Sequence, residues 1–255
     1  FNDIFNTIGS TSVLMDIHNG EIISIISLPD FDPNKRISIV DVNYINRVTK
    51  GVYELGSVFK TFTLAAAIHE GIINPDTKFE NLEKTIKCGR NTISEYDKKI
   101  PSNLTAEEIL IRSGNIGSVR IAQAIGIEKF KEFLNDLNLI NKIKFDIEEV
   151  GQPISFNWGK CKLATTSFGH GITTTILQLA NAYSVISNGG YRISPTLIKK
   201  DKYLKGERIL NKDVTKNLVP ILRKIVTRKE GTASLANIEG YEVAGKTGTA
   251  EKITV

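Results

Sequence analysis

The chain has 255 residues, 41% hydrophobic and 24% charged, enough for one large domain or two small ones with a sizeable core. Its net charge of +5 is spread along the chain, which suits an acidic polymer or membrane surface and not the clustered basic footprint of nucleic-acid binding. No run of ~20 apolar residues exists, which excludes a membrane-spanning helix in this stretch.

Two cysteines, Cys88 and Cys161, lack metal-ligand spacing and read either as a pair or as two free thiols. No cluster of ligands calls for a metal or cofactor. The chain opens on Phe1 and not on Met, so it reads as an excised fragment, and the absence of a targeting segment carries no weight.

Ser12 to Ile17 and Glu21 to Ser27 read as strands of a hairpin turning at His18-Asn19-Gly20. His18 beside that turn is expected to be exposed. Two prolines in Leu28-Pro29-Asp30-Phe31-Asp32-Pro33-Asn34 then break regular structure, and residues 35–54 are irregular. An apolar run follows Ser57: Phe59, Phe62, Leu64, Ala65, Ala66, Ala67, Ile68. It is apolar on nearly all sides, which predicts a buried helix stopped by Gly71.

Residues 72–103 read as a loose excursion around short β-like pieces. Thr105-Ala106-Glu107-Glu108 is a capping box opening a short helix that ends at Ser113-Gly114-Asn115. A second helix stops at Gly126, and a third buries Phe130, Phe133, Leu134 and Leu137 on one face. Residues 139–172 are turn-rich. Thr175-Ile176-Leu177-Gln178 is another capping box, opening an apolar helix to Ile186. Residues 191–212 suggest short strands. Asp213 is placed to cap a helix through Ile225 that either starts or kinks at Pro220. Tyr241 to Ala244 reads as a strand entering Gly245-Lys246-Thr247-Gly248-Thr249. The order is strands, a long helical middle, then a strand. That predicts an α+β fold with a sheet built from both ends of the chain around a helical insertion.

Ser57 and Lys60 stand three residues apart, so one helical turn places hydroxyl and ammonium side by side. A serine hydroxyl needs a nearby base to act as a nucleophile, and a lysine in a dry, apolar setting loses its proton more easily. A four-residue pattern of this kind recurs by chance. Ser113-Gly114-Asn115 alone is most often an interhelical turn, and Lys246-Thr247-Gly248-Thr249 alone a strand ending in a glycine turn. All three in this order match the serine acyl-transfer set of penicillin-binding proteins and serine β-lactamases.

The flanking residues carry the resemblance further. Tyr53-Glu54-Leu55-Gly56-Ser57-Val58-Phe59-Lys60-Thr61-Phe62, the Leu28–Asn34 stretch, Phe168-Gly169-His170-Gly171-Ile172 and Val243–Ala250 closely resemble class B penicillin-binding proteins. Within that class the chain is similar to the division-type septal transpeptidases (penicillin-binding protein 3), over nearly all of residues 10–252. Leu55 stands where the family usually has proline. Gly114 stands where β-lactamases often have aspartate.

The resemblance implies a penicillin-binding transpeptidase/serine β-lactamase-like fold, with an antiparallel sheet and a large helical subdomain. Residues 1–255 form one incomplete transpeptidase domain. Its sheet-forming parts are 10–54 and 191–255, its helical subdomain 55–190. It implies acyl transfer on peptidoglycan stem peptides. Ser57 attacks the carbonyl between two terminal D-alanines and Lys60 takes its proton. Ser113 relays a proton to the leaving amine, aided by Lys246. Asn115 binds the substrate backbone. Thr247, Gly248 and Thr249 line the terminal carboxylate's place, and the amides of Ser57 and Thr249 form the oxyanion hole. β-Lactams mimic the D-alanyl pair and stay on Ser57.

No cofactor is implied. Expected partners are stem peptides, β-lactams, and membrane-bound cell-division and glycan-polymerising proteins. The expected location is the periplasmic face of the bacterial inner membrane, with an N-terminal anchor absent from this chain.

Two other readings stand beside this one. A serine β-lactamase shares the three motifs; the glutamate it needs has one candidate, Glu132, whose neighbours read as a solvated helix face. A non-catalytic division scaffold is the other, opposed by the intact motif residues. The chain stops six residues past Thr249, where family members add strands beside the Lys-Thr-Gly strand. The site around Lys246 is therefore expected to be poorly formed, or completed by another chain.

Overall fold

The computed structural model describes residues 2–35, 42–199 and 206–250. In chain order its elements are α1 (Asn2–Phe5), β1 (Ser10–Met15), β2 (Ile22–Leu28), α2 (Phe59–His69), β3 (Lys78–Phe79), β4 (Thr85–Cys88) and β5 (Asn91–Ser94). There follow β6 (Leu104–Thr105), α3 (Ala106–Ile111), α4 (Asn115–Ile125), α5 (Ile127–Asp136), α6 (Lys160–Thr166), α7 (Ile176–Ser187) and α8 (Lys212–Thr227). Among the described residues the strands pair only in twos, all antiparallel: β1–β2, β3–β6 and β4–β5.

Contacts divide the chain into two units. The first contains Phe1–Tyr53, Leu137–Ile154 and Thr173–Ile209. Its β1–β2 hairpin does not turn on two residues. Asp16 Oδ1 accepts the amide of His18 and Asn19 Oδ1 that of Glu21, closing a longer loop whose Gly20 takes φ +81°. Such side-chain bonds to nearby amides make Asp and Asn turn formers. His18 is exposed, as expected. The core of this unit is Val48, Ile143, Val150 and Leu177, against which Val13, Ile22 and Ile25 of the hairpin pack. Helix α7 begins on the expected capping box. The Thr175 hydroxyl accepts the Gln178 amide while Gln178 reaches back to the Thr175 amide. Gln178 also donates to the carbonyls of Asn138 and Asn141, so one buried side chain ties the helix start to a loop 40 residues away.

The second unit contains Glu54–Asp136, Ser155–Ile172 and Leu210–Val255. Helix α2 is its axis. Residues 59–67 are at most 1% exposed, so the helix is enclosed on every face by α3, α4, α5 and α8. It ends as expected at Gly71. With φ +65°, that glycine lets its own amide reach Ile68 O and the Ile72 amide reach Ala67 O, which satisfies the last carbonyls of the helix. The Thr105 capping box is present in both directions.

Helix α8 starts two residues earlier than expected. Asn211, and not Asp213, supplies the capping oxygen. Pro220 lies inside it without ending it. Burial of Val214, Leu218, Ile221, Leu222, Ile225 and Val226, each worth ~1.5–3 kcal/mol, outweighs the ~3 kcal/mol that an interior proline costs.

Three expectations differ from the structure, and the open reading of the two cysteines is settled. Residues 160–166 of the turn-rich segment form α6. Cys88 on β4 and Cys161 on α6 are joined as a disulfide, with Cα atoms 5.3 Å apart. Tyr241–Ala244 forms no strand: a strand exists only where another strand takes its amides and carbonyls in a ladder, and among the described residues no strand pairs with it. Among the described residues of 191–211 the strand pairing is limited to isolated bridges, Tyr191 to Arg208 and Glu21 to Thr196. Residues 36–41, 200–205 and 251–255 of the expected irregular and strand segments lie outside the described residues.

Replacing Thr105 by alanine should lower unfolding stability by ~1 kcal/mol, the usual worth of an N-cap. Chemical denaturation followed by circular dichroism would show it as an earlier midpoint at unchanged slope.

Candidate active site

Gly56, at φ +57°, opens a single 3-10 turn over Gly56–Val58 that runs directly into α2. This places Ser57 half-buried at the head of the helix and Lys60, 1% exposed, in its first turn. Among the described residues the hydrogen bonds of the Lys60 amine run to the Ser113–Asn115 motif and not to Ser57. Its long stem carries Nζ towards the next motif, where it donates to Ser113 O at 2.5 Å, Asn115 Oδ1 at 2.6 Å and Ser113 Oγ at 3.2 Å.

Ser113 takes the left-handed conformation, φ +57°, rare for a residue with a side chain. It stands between α3 and α4. Asn115 is the first residue of α4, and Gly114 gives no side-chain cap. The cap comes from Glu95, whose two carboxylate oxygens accept the amides of Asn115 at 2.7 Å and Ile116 at 2.9 Å. Asn115 Nδ2 donates to Ser94 O at 2.8 Å, which fixes Oδ1 towards Lys60.

Burial strips water from Lys60 and the Lys246 cation repels its charge; together, against the opposing pull of Glu95, they bring its pKa from 10.5 down to about 7. A neutral amine has two N–H donors. The carbonyls of Ser113 and Asn115 can only accept, so they hold both and leave the lone pair for a hydroxyl. Lys246 is half-buried, and burial lowers its pKa to about 8. It donates to the neighbouring Thr247 O at 2.9 Å.

The Lys246–Thr249 segment reaches Ser57 without being a strand. A Cβ on Gly56 would stand 2.0 Å from Thr249 O, one on Gly248 2.4 Å from Leu55 O, and one on Gly169 2.0 Å from Gly56 O. Three chain segments thus meet backbone to backbone around Ser57, a closeness that only glycine permits. Ser57, Ser113, Asn115, Thr247, Gly248 and Thr249 line one cavity of about 660 Å³. Among the described residues this segment pairs with no strand, while Thr249 and Gly248 lie against Gly56 and Leu55. Thr232 Oγ1 and Thr247 Oγ1 share a hydrogen bond of 2.7 Å.

Tyr96, Phe168, His170 and Thr232 line the same cavity, and neither they nor Glu95 stood out as site residues. Glu95 and Tyr96 follow β5, some 20 residues before Asn115, and no local pattern joins them to it. Phe168-Gly169-His170-Gly171 offered the one available signal, two glycines around an aromatic pair. Glu132 is exposed on α5 and does not line the cavity, as its solvated-face reading predicted.

Residues 10–255 match the family described as the penicillin binding protein transpeptidase domain. The chain belongs to that family. It is a class B transpeptidase domain of the septal, FtsI-like type. It is 33% identical over 254 residues to the probable peptidoglycan D,D-transpeptidase FtsI of Caulobacter vibrioides, covering 97% of this chain and 42% of that protein. It is 31% identical to stage V sporulation protein D of Bacillus subtilis, covering 96% and 40%. The transpeptidase domain of penicillin-binding protein 3 from Burkholderia pseudomallei superposes with a TM-score of 0.87 at 25% identity, covering 99% of this chain and 72% of that one. The chain thus spans less than half the length of these two curated relatives.

Two outcomes follow from this geometry for the transpeptidase domain. Gly169→Ala should drive residue 169 and Gly56 apart, displace the adjoining Ser57 and slow penicillin acylation by ~10²-fold or more, with the far-ultraviolet dichroism of the helices retained. Lys60 holds its proton less tightly folded than unfolded, so stability should rise with pH between about 7 and 10.5. Denaturation midpoints across that range would show it, and Lys60→Met should flatten the rise.

Proposed function

We propose that the domain is the catalytic part of a peptidoglycan D,D-transpeptidase that crosslinks stem peptides through a Ser57 acyl-enzyme during septal wall synthesis. The observation that carries this reading is Lys60: buried, with a pKa of about 7, and with both N–H donors taken by carbonyls. A base poised near neutrality is suited to general base catalysis.

Ser57 Oγ gives its proton to Lys60 and attacks the carbonyl between the two D-alanines. The Ser57 and Thr249 amides face the resulting oxyanion; such donors are worth ~3 kcal/mol each. The proton passes through Ser113 Oγ, 3.2 Å from Nζ, to the leaving D-alanine, with the Lys246 charge assisting. Thr247 and Thr249 hold the substrate's terminal carboxylate, and Asn115 its backbone. An amine from a second stem then displaces Ser57. β-Lactams acylate the same serine and are released slowly.

The substrate places the domain outside the cytoplasmic membrane, and the Cys88–Cys161 disulfide accords with an oxidising compartment. Membrane-bound division and glycan-polymerising proteins are the partners this role calls for; nucleic acid is not.

Incubation with a fluorescent penicillin followed by mass spectrometry should place one stable adduct on Ser57 and none in Ser57→Ala. The acylation rate should rise with pH through about 7 as Lys60 becomes neutral. Lys60→Ala should lose on the order of 10²–10⁴-fold together with that inflection. A variant retaining both rate and inflection would remove Lys60 from the role of base.

A further inference from the structure

Beside the cavity at Ser57 lies a second, of about 540 Å³, lined by Asn91, Thr92, Ser94 and Thr165, and by the Cys88–Cys161 disulfide. The two cavities share three residues, Asn115, Phe168 and His170. His170 is the only titratable residue of the three. It is exposed, lies stacked on Phe168 with ring planes 14° apart, and its Nδ1 stands 3.3 Å from a carboxylate oxygen of Glu54. Glu54 is three residues before Ser57 and is less exposed than the histidine. A carboxylate on Nδ1 selects the tautomer with its proton there, which leaves Nε2 as an acceptor. Lys162 of α6 interacts electrostatically with Glu54 and donates to Gly171 O.

The proposed reaction leaves one proton without a destination. An amine acceptor reaches the acyl-enzyme at neutral pH as an ammonium ion, with no lone pair to attack. Lys60 is engaged on the serine side, between Ser113 and Asn115. We infer that the second cavity receives the acceptor strand and that His170, oriented by Glu54, takes the first proton from its ammonium group; this rests on the transpeptidase reading.

The ammonium gives one proton to His170 Nε2, which later releases it to solvent. The free amine attacks the acyl carbonyl, so a C–N bond forms and the C–O bond to Ser57 breaks. The second amine proton passes through Lys60 to Ser57 Oγ. Glu54 brings negative charge to the place where the cation arrives. Phe168 and the disulfide supply apolar wall. The hydroxyl and amide groups of Asn91, Thr92, Ser94 and Thr165 suit an uncharged peptide backbone.

The test uses a D-alanyl thioester donor with D-alanine as amine acceptor, and reads how the acyl-enzyme divides between water and amine. That ratio is independent of how fast the acyl-enzyme forms. In His170→Gln the ratio of aminolysis to hydrolysis should fall at least tenfold at pH 7. The deficit should shrink as pH rises towards the amine's own pKa, where the acceptor needs no base. Glu54→Gln should move the ratio the same way by a smaller factor, and serves if the histidine variant does not fold. An unchanged ratio in both variants, or a deficit that does not shrink with pH, would overturn the inference. Failure of the unaltered protein to form any acyl-enzyme would instead overturn the transpeptidase reading, and this inference with it.

Discussion

The site depends on one buried amine. Lys60 is carried on a helix that is closed off on every side, and its Nζ finds Ser113 and Asn115 at the start of α4. A buried cation without partners would cost several kcal/mol. Here three oxygens hold the amine, and dehydration brings its pKa to about 7. The same desolvation that makes the group costly makes it useful, because it leaves a lone pair available near neutral pH. Everything that shapes Ser113 and Asn115 therefore shapes the chemistry. Ser113 is held in a left-handed conformation, and Asn115 is held by Glu95 and Ser94 at the open end of the β4–β5 hairpin.

Around Ser57 the constraint is steric and not electrostatic. Gly56, Gly169 and Gly248 let three segments approach to distances that no Cβ would tolerate. Thr249 is brought beside the serine by this close packing, without the ladder hydrogen bonds of a strand. The two halves of the site are thus organised by different physics: a hydrogen-bonded cation on one side, backbone contact on the other. The Cys88–Cys161 disulfide adds a covalent tie between the hairpin that fixes Asn115 and the helix leading to Phe168 and His170. Cross-linking residues 73 apart in sequence removes unfolded-state entropy worth ~4 kcal/mol in the chain-entropy account.

Local chemistry was legible where it acts over a few residues. Both capping boxes, the Gly71 stop and the all-round burial of α2 follow from spacings that a single helical turn enforces. The amphipathic face of α5 does so too. Elements whose existence depends on distant partners were not legible. Helix α6 is short, with modest propensity, and is kept by packing and its disulfide. The Tyr241–Ala244 stretch has the residues of a strand but no neighbour among the described residues. Asn211 replaced Asp213 as a cap because several residue types suit that position equally.

By itself the sequence determined which groups the proposed chemistry rests on. A serine, a lysine one turn on, a Ser-Gly-Asn turn and a Lys-Thr-Gly-Thr segment in fixed order are each a short pattern of side-chain types. Tertiary structure alone decided which oxygens hold the lysine. The i, i+3 rule places it on the face of Ser57, and its four-carbon stem also reaches Ser113 and Asn115, to which its amine donates. Tertiary structure alone also brought Glu95, Tyr96 and His170 to the site, since each is joined to it by contacts that span many residues and leave no periodic trace in the chain.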